Sequence, residues 1–411
     1  MRRVPESPQQ RHNTSAFDDG ISMTDSPASE PDDPFAEIRP YSNLDAPEVL
    51  KRLSRDTELA ETVALWRLPR VSALWPALAR QMGKIWLRLA ARRLRTVEDL
   101  QNLIAPNLSR MIKQTSRFTV SGIDELELSA ARVYLGNHRD IVMDPAYANY
   151  ALHRAGANTL AIAIGDNLLS KPWVADLMRL NKSFVVKRNV TGPRALLAAT
   201  KLLSQYIRDS VNTGRDPIWI AHREGRAKDG RDLTEPAVIK MLTLSRERGE
   251  APEAVLSDLN IVPLVISYEV DPCDALKAAE LAAGEGYVKA EFEDVSSIAR
   301  GITGEKGCVH LHFGEPLPAN LSVEEVVAAL DRQMVQHYRL YHTNRWAWEW
   351  LHGESVPASL AFHEGSVTEQ SFRARIESAS SEHRQWLLTM YANPVSRQLA
   401  CDVTDQDRSC D

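Results

Sequence analysis

The sequence predicts an α/β protein, a largely parallel sheet flanked by helices with an N-terminal helical extension. Two observations lead there. Over residues 126–341, short apolar runs of strand length alternate with amphipathic segments of helix length, the pattern of strand–helix–strand crossover units. Over residues 35–125 the pattern is helical throughout.

Taken in order, residues 1–34 are rich in Ser, Pro, Asp and Glu and nearly lack large apolar side chains, which predicts a disordered tail. Within 35–125, the run beginning at Ala46 opens one helix and residues 71–95 form a longer one. Between Thr62 and Val97 the chain carries Arg67, Arg70, Arg80, Lys84, Arg88, Arg92, Arg93 and Arg95 but no Asp or Glu. Arg80, Lys84, Arg88 and Arg92 recur every fourth residue and form one stripe, while Trp75, Leu78, Met82, Ile85, Trp86 and Leu89 line another face. Such a basic amphipathic helix fits an anionic membrane surface, and equally a helix packed on its own domain with its basic face in water.

Predicted strands follow at residues 132–135, 159–164, 183–187, 217–221, 261–268 and 307–313, with helices between them at 145–154, 168–180, 193–208, 235–248 and 323–341. The main domain is thus expected over 126–345. Residues 346–411 read as a Trp-rich helical piece and a polar tail.

Composition narrows the function. At 411 residues the chain suffices for one large domain with extensions, or for two domains, and its net charge of -6 argues against a general nucleic-acid binder. Cys273, Cys308, Cys401 and Cys410 have no metal-ligand spacing, so a reducing compartment without disulfides is expected. No apolar segment follows the two starting arginines, and the longest apolar runs fall far below the ~20 residues of a spanning helix. The expectation is a cytoplasmic protein without a transmembrane helix.

The most informative stretch is Arg132-Val-Tyr-Leu-Gly-Asn-His-Arg-Asp-Ile-Val-Met-Asp-Pro145. It reads as a strand, a turn and a helix opened by Asp144 as N-cap and Pro145 at the first helical position. His138 then sits beyond a strand end, where open α/β sheets bind ligands. Asp140 or Asp144 can hold one ring nitrogen while the other takes a proton, so His138 is a candidate general base. The bland alternative makes Asp144 a helix cap, Asp140 a turn residue and His138 a hydrogen-bonded histidine. A kinase catalytic loop does not fit, since Pro145 stands where its Asn belongs.

Three further strand ends carry charge. Residues 181–188 finish in Lys187 and Arg188, residues 218–230 break into a loop with Glu224, Gly225, Arg226 and Lys228, and residues 261–269 end in Tyr268 and Glu269. The four cations converge on the edge that holds His138, which suits a phosphate-bearing substrate. Glu224 and Gly225 would shape the loop, Gly225 by allowing close backbone approach. Singly, each cation is as readily a solvated one. His310 and His312 share a strand face but have no third ligand, so they read as a solvent-facing pair and not as a metal site.

These four stretches resemble, in order, the four blocks of the glycerophospholipid acyltransferase family, which includes glycerol-3-phosphate and lysophosphatidate acyltransferases. Asn137-His138 with Asp144 is similar to the first block, Phe184-Val-Val-Lys-Arg188 to the second, Glu224-Gly-Arg226 to the third, and Ile261-Val-Pro263 with Tyr268-Glu269 to the fourth. The likeness spans residues 126–316. The family places four residues between His and Asp, and here five precede Asp144; the third block is one residue short before Arg226, and the second lacks a glycine before Phe184.

The resemblance implies transfer of a fatty acyl group from an acyl-CoA or acyl-ACP thioester, a co-substrate and not a cofactor, to a glycerol hydroxyl. No metal is required. It implies His138 as base, Asp144 as its partner, and Lys187, Arg188 and Arg226 as holders of the acceptor phosphate. Backbone N–H groups of the turn are candidate oxyanion donors. An anionic membrane surface would be a partner, with the protein peripheral on its inner face. The alternatives are a thioesterase using the same pair, which lacks a Gly-x-Ser-x-Gly elbow, and a non-catalytic lipid binder on the same fold.

Overall fold

Central strands of a parallel sheet are buried on both faces and so read as unbroken apolar runs, and six of the predicted strands are present. The computed structural model describes residues 33–288 and 293–408, with side chains through Cys401. The tail expected over 1–34 therefore lies, up to residue 32, outside the described residues. The strands are β1 (Arg117–Ser121), β2 (Val133–Gly136), β3 (Ala161–Gly165), β4 (Ser183–Val186), β5 (Ile218–Ala221), β6 (Val262–Tyr268) and β7 (Cys308–Phe313). They form one sheet in the order β1-β7-β6-β2-β5-β3-β4, parallel except for the β6–β7 pair.

β1 corrects the expectation that residues 35–125 are wholly helical. It is an edge strand paired with β7, so it needs one apolar residue pair and not a continuous run: Phe118 packs at a tilt on Tyr147, while Val120 stays partly in water. β1 also changes the reading of the histidine pair. Thr119 and Ser121 lie beside His310 and His312, and His310 is buried with both ring nitrogens bonded to the two hydroxyls at 2.8 and 2.9 Å. His312 bonds Ser121 at 2.8 Å and stacks on His337. The pair faces a neighbouring strand and not solvent. Burial pushes the His312 ring down to about 4.

The two sheet faces have separate cores. On one, Val133 and Leu135 of β2 with Ile218 and Ile220 of β5 pack against the helices Pro193–Asn212 and Val323–His337. On the other, Tyr134, Trp219 and the even-numbered residues of β6 meet the helices Met143–Arg154 and Val97–Thr115. The segment before the first helix runs along edge strand β4. There the Ile38 carbonyl accepts from the Val185 amide at 2.9 Å, and Arg179 bonds the carbonyls of Ala36 and Arg39.

The expected helix over 71–95 is two, Pro69–Leu74 and Pro76–Arg93. Pro76 has no N–H and disfavours helix at the residue before it, so the chain breaks at Trp75. The expected polar tail is also corrected. The helices His342–His352, Glu369–Glu377 and Ser381–Arg408 close a further core around Trp348, Phe372, Met390, Tyr391 and Val395. Their apolar residues are few and widely spaced, and they find one another only in three dimensions. Glu269 anchors this region, accepting from the backbone amides of Cys308, Ser366 and Val367.

Phe372→Ala is expected to lower the unfolding free energy by about 3–5 kcal/mol, because it opens a cavity among buried rings. The urea midpoint would fall at unchanged far-UV circular dichroism; an unchanged midpoint would remove the C-terminal helices from the cooperative core.

Candidate active site

β2 and β5 are parallel neighbours with Gly136 opposite Ala221, so the turn after one and the loop after the other leave the sheet side by side. The Ala227 amide donates to the His138 carbonyl at 2.7 Å and ties them together. Asn137 extends the ladder on the other side. Its side-chain amide bonds the Ile266 amide and carbonyl at 2.7 and 3.0 Å, as a strand residue would.

His138 Nδ1 is 2.9 Å from Asp144 Oδ2. The same oxygen accepts from the backbone amides of Arg139 and Asp140 at 2.6 and 2.8 Å, and Tyr268 Oη donates to Oδ1 at 2.7 Å. Asp144 is 2% exposed, so these four donors stand in for the water its charge would otherwise hold. Despite the longer spacing from His138, it reaches the ring because the turn wraps around its carboxylate.

Asp144 is thus not the helix cap. The helix begins at Met143, and Asp140 Oδ1 accepts from the amides of Val142 and Met143 at 3.0 and 2.8 Å. The two carboxylates have exchanged the roles a cap reading assigns them. Burial, with the negative charge of Asp144, raises the Asp140 carboxyl above its ordinary range. The amides of Arg139 and Asp140 are committed to Asp144, which removes these two turn groups as oxyanion donors.

With Nδ1 bonded to Asp144, Nε2 is the nitrogen that can accept a proton. His138 lines a cavity of about 910 Å³ together with Lys187, Arg188, Glu224, Gly225, Arg226 and Lys228, so every residue picked for substrate binding reaches it. The walls are apolar, with Ile104, Leu108, Val174 and Met178 from two helices and Ile162 and Ile164 from β3. Trp219 stands edge-on to the His138 ring at 5.5 Å.

The cations are not equivalent. Lys187 pairs with Glu37, Lys228 with Glu280, and Arg188 lies 3.9 Å from Glu224. Arg226 is 9% exposed, and its Nη1 is buried with no hydrogen-bond partner among the described residues. Gly225, at φ 71, takes the left-handed conformation that lets the loop turn there.

Several supporting residues carry no short-range sequence signal. Arg139 pairs with Asp232 at 2.7 Å and donates to Tyr338 at 3.1 Å, and its carbonyl accepts from the buried Lys277. Asn393 and Arg397 of the last helix bond the carbonyls of Asp229 and Asp232, which fixes that loop from behind. His222 is buried against Thr234, and burial pushes its ring down to about 4. It stands behind the loop as a neutral support.

Fold and site define an α/β enzyme in which a buried His–Asp pair opens on one large, cation-bearing cavity. Residues 117–267 match the family model described as Acyltransferase. This segment is an acyltransferase domain. Among solved structures the chain is similar to the 1-acyl-sn-glycerophosphate (LPA) acyltransferase PlsC from Thermotoga maritima, at 14% identity over 68% of this chain and 92% of that one, with a TM-score of 0.36. No curated protein matches the chain.

His138→Ala and Asp144→Asn are each expected to lower acyl transfer by ~10²–10⁴-fold without loss of fold. Asp140→Asn, which keeps an oxygen for the helix amides, should retain most of it. Equal losses in Asp140→Asn and Asp144→Asn, measured with a labelled acyl thioester, would contradict the assignment of partner.

Proposed function

We propose that the protein moves a fatty acyl group from a thioester of coenzyme A or acyl carrier protein to a hydroxyl of a glycerol phosphate or lysophospholipid, a step of phospholipid synthesis. The observation that carries this reading is one cavity lined by His138 and by Arg226, a buried guanidinium with one nitrogen unpartnered among the described residues. A phosphate's oxygens match a guanidinium, and a phosphate held there would bring a nearby hydroxyl to Nε2.

His138 Nε2 takes the hydroxyl proton as the oxygen attacks the thioester carbonyl and the C–O bond forms. The tetrahedral oxyanion collapses, the C–S bond breaks, and the imidazolium returns its proton to the departing thiolate. Asp144 stabilises the imidazolium between the two steps. The apolar walls would hold the acyl chain and exclude water that would otherwise hydrolyse the thioester.

The N-terminal helices support the membrane part of the reading. No helix among the described residues is long and apolar enough to cross a membrane. Helix Pro76–Arg93 packs on its neighbours through Ala79, Gly83 and Leu87, with Trp86 partly covered, and leaves the rest of its apolar face outside. Leu74, Trp75, Leu78, Ile85 and Leu89 are exposed, as are Arg88, Arg92 and Arg93. Large apolar side chains in water beside cations that have no ion pair among the described residues fit an anionic bilayer at its cytoplasmic face better than ordinary packing does. Arg80 is partly neutralised by Glu61 at 2.6 Å.

The test is transfer from a long-chain acyl thioester to a panel of glycerol-3-phosphate, lysophosphatidate and other lysolipids. Arg226→Ala should raise KM for phosphorylated acceptors by ~10–100-fold and leave acceptors without phosphate nearly unchanged. Equal losses on both would sink the phosphate role, and thioester hydrolysis without transfer would make the protein a thioesterase. Reversing the charges at Lys84, Arg88 and Arg92 should reduce sedimentation with anionic vesicles; unchanged sedimentation would return this helix to a role in packing.

A further inference from the structure

We propose that Tyr268 is a positioning residue that locks the Asp144 carboxylate against rotation and tempers its pull on the His138 ring. The inference rests on the reading of His138 as the base. Asp144 Oδ2 has three donors, the His138 ring and two turn amides, whereas Oδ1 has one among the described residues, the Tyr268 hydroxyl at 2.7 Å. A carboxylate is a two-fold rotor. Without the hydroxyl, Oδ1 is a buried oxygen lacking that partner, and turning the group to satisfy it would take Oδ2 away from His138.

Tyr268 is well built for holding. It ends β6, the strand paired with β2, so its place relative to the turn is set by backbone pairing of neighbouring strands. It is 4% exposed, and its ring lies edge-on to Tyr147. Burial and the adjacent Asp144 push its hydroxyl well above the ordinary phenol range, so it stays a donor throughout the working pH range.

The charged and titratable groups around Asp144 come from several elements. The turn supplies His138, Arg139 and Asp140, the following helix Tyr147, and β6 Tyr268, with Asp271 and Lys306 nearer to Asp140. Of these, Tyr147 also carries a buried hydroxyl, but it bonds Ser116 at 2.7 Å and not Asp144. Nature has thus placed two similar buried phenols together with only one on the carboxylate.

A hydroxyl that donates to Asp144 disperses its charge. Removing it leaves the remaining negative charge more strongly felt by the imidazolium, so the His138 ring holds its proton to higher pH and less free base is present on the acid side. The experiment compares Tyr268→Phe, Tyr147→Phe and His138→Ala with the unaltered enzyme, by the pH dependence of kcat/KM and by NMR titration of the His138 ring.

In Tyr268→Phe the acid limb and the ring titration should both move up by about half a unit or more, and kcat should fall with KM little changed. Tyr147→Phe, with a comparable buried bond lost, should move neither. A fall in kcat with limb and ring in place, or equal effects in both Phe variants, would overturn the inference and make Tyr268 merely structural. Undiminished transfer by His138→Ala would overturn the base assignment and this inference with it, and is distinguishable because it appears with Tyr268 intact.

Discussion

A carboxylate sealed from water is tolerable only where donors replace its hydration, and at Asp144 that requirement shapes everything around it. Two donors are backbone amides, so the chain after β2 must curl round the carboxylate. A third is a side chain at the end of β6, so β6 must lie beside β2. The fourth is the ring it orients. Sheet order, turn shape and chemistry are therefore one condition viewed at three scales. Asp140 meets the need that the turn would otherwise leave open, the unsatisfied amides at the start of the helix.

A second layer of buried charge keeps the turn where it is. Arg139 is held by Asp232 and Tyr338, Lys277 bridges the Arg139 carbonyl and Asp271, and Arg375 with Tyr391 secures Asp274. Many of these groups lie beyond residue 267, where the family match ends. The C-terminal helices thus belong to the back wall of the site, although none of their residues is among those lining the cavity. On the open side, Lys187, Arg188 and Lys228 each have a carboxylate nearby. An incoming anion must displace or share these contacts, whereas Nη1 of Arg226 has no hydrogen-bond partner among the described residues.

What was legible in the sequence follows from how far each signal reaches along the chain. Strands buried on both faces, such as Leu264 and Val265 of β6, announce themselves as apolar runs. β1 did not, because an edge strand with Thr119 and Ser121 on one side resembles its helical surroundings. The burial of His310 depends on that same strand and was hidden with it. At the site, residue types and strand-end positions sufficed to bring His138 and its cations to one cavity. The choice between Asp140 and Asp144 was not decidable from spacing, since it turns on Tyr268, 124 residues away. Nor were the partners of the cations visible, Glu37 being 150 residues from Lys187 and Glu280 being 52 from Lys228.

The segment that runs along β4 has a bearing on how the protein survives in a crowded solution. β4 is Ser183-Phe-Val-Val186, short, uncharged and at the outer edge of the sheet, the kind of strand that adds readily to another chain. The Ile38 carbonyl occupies the Val185 amide, and the grip of Arg179 on Ala36 and Arg39 holds the cover in place. A protease cut that released residues 33–41 would uncover this edge, and would also take Ile38 from the core and Glu37 from Lys187. The strap thus covers the one backbone position of this edge that Val185 would otherwise offer to another strand.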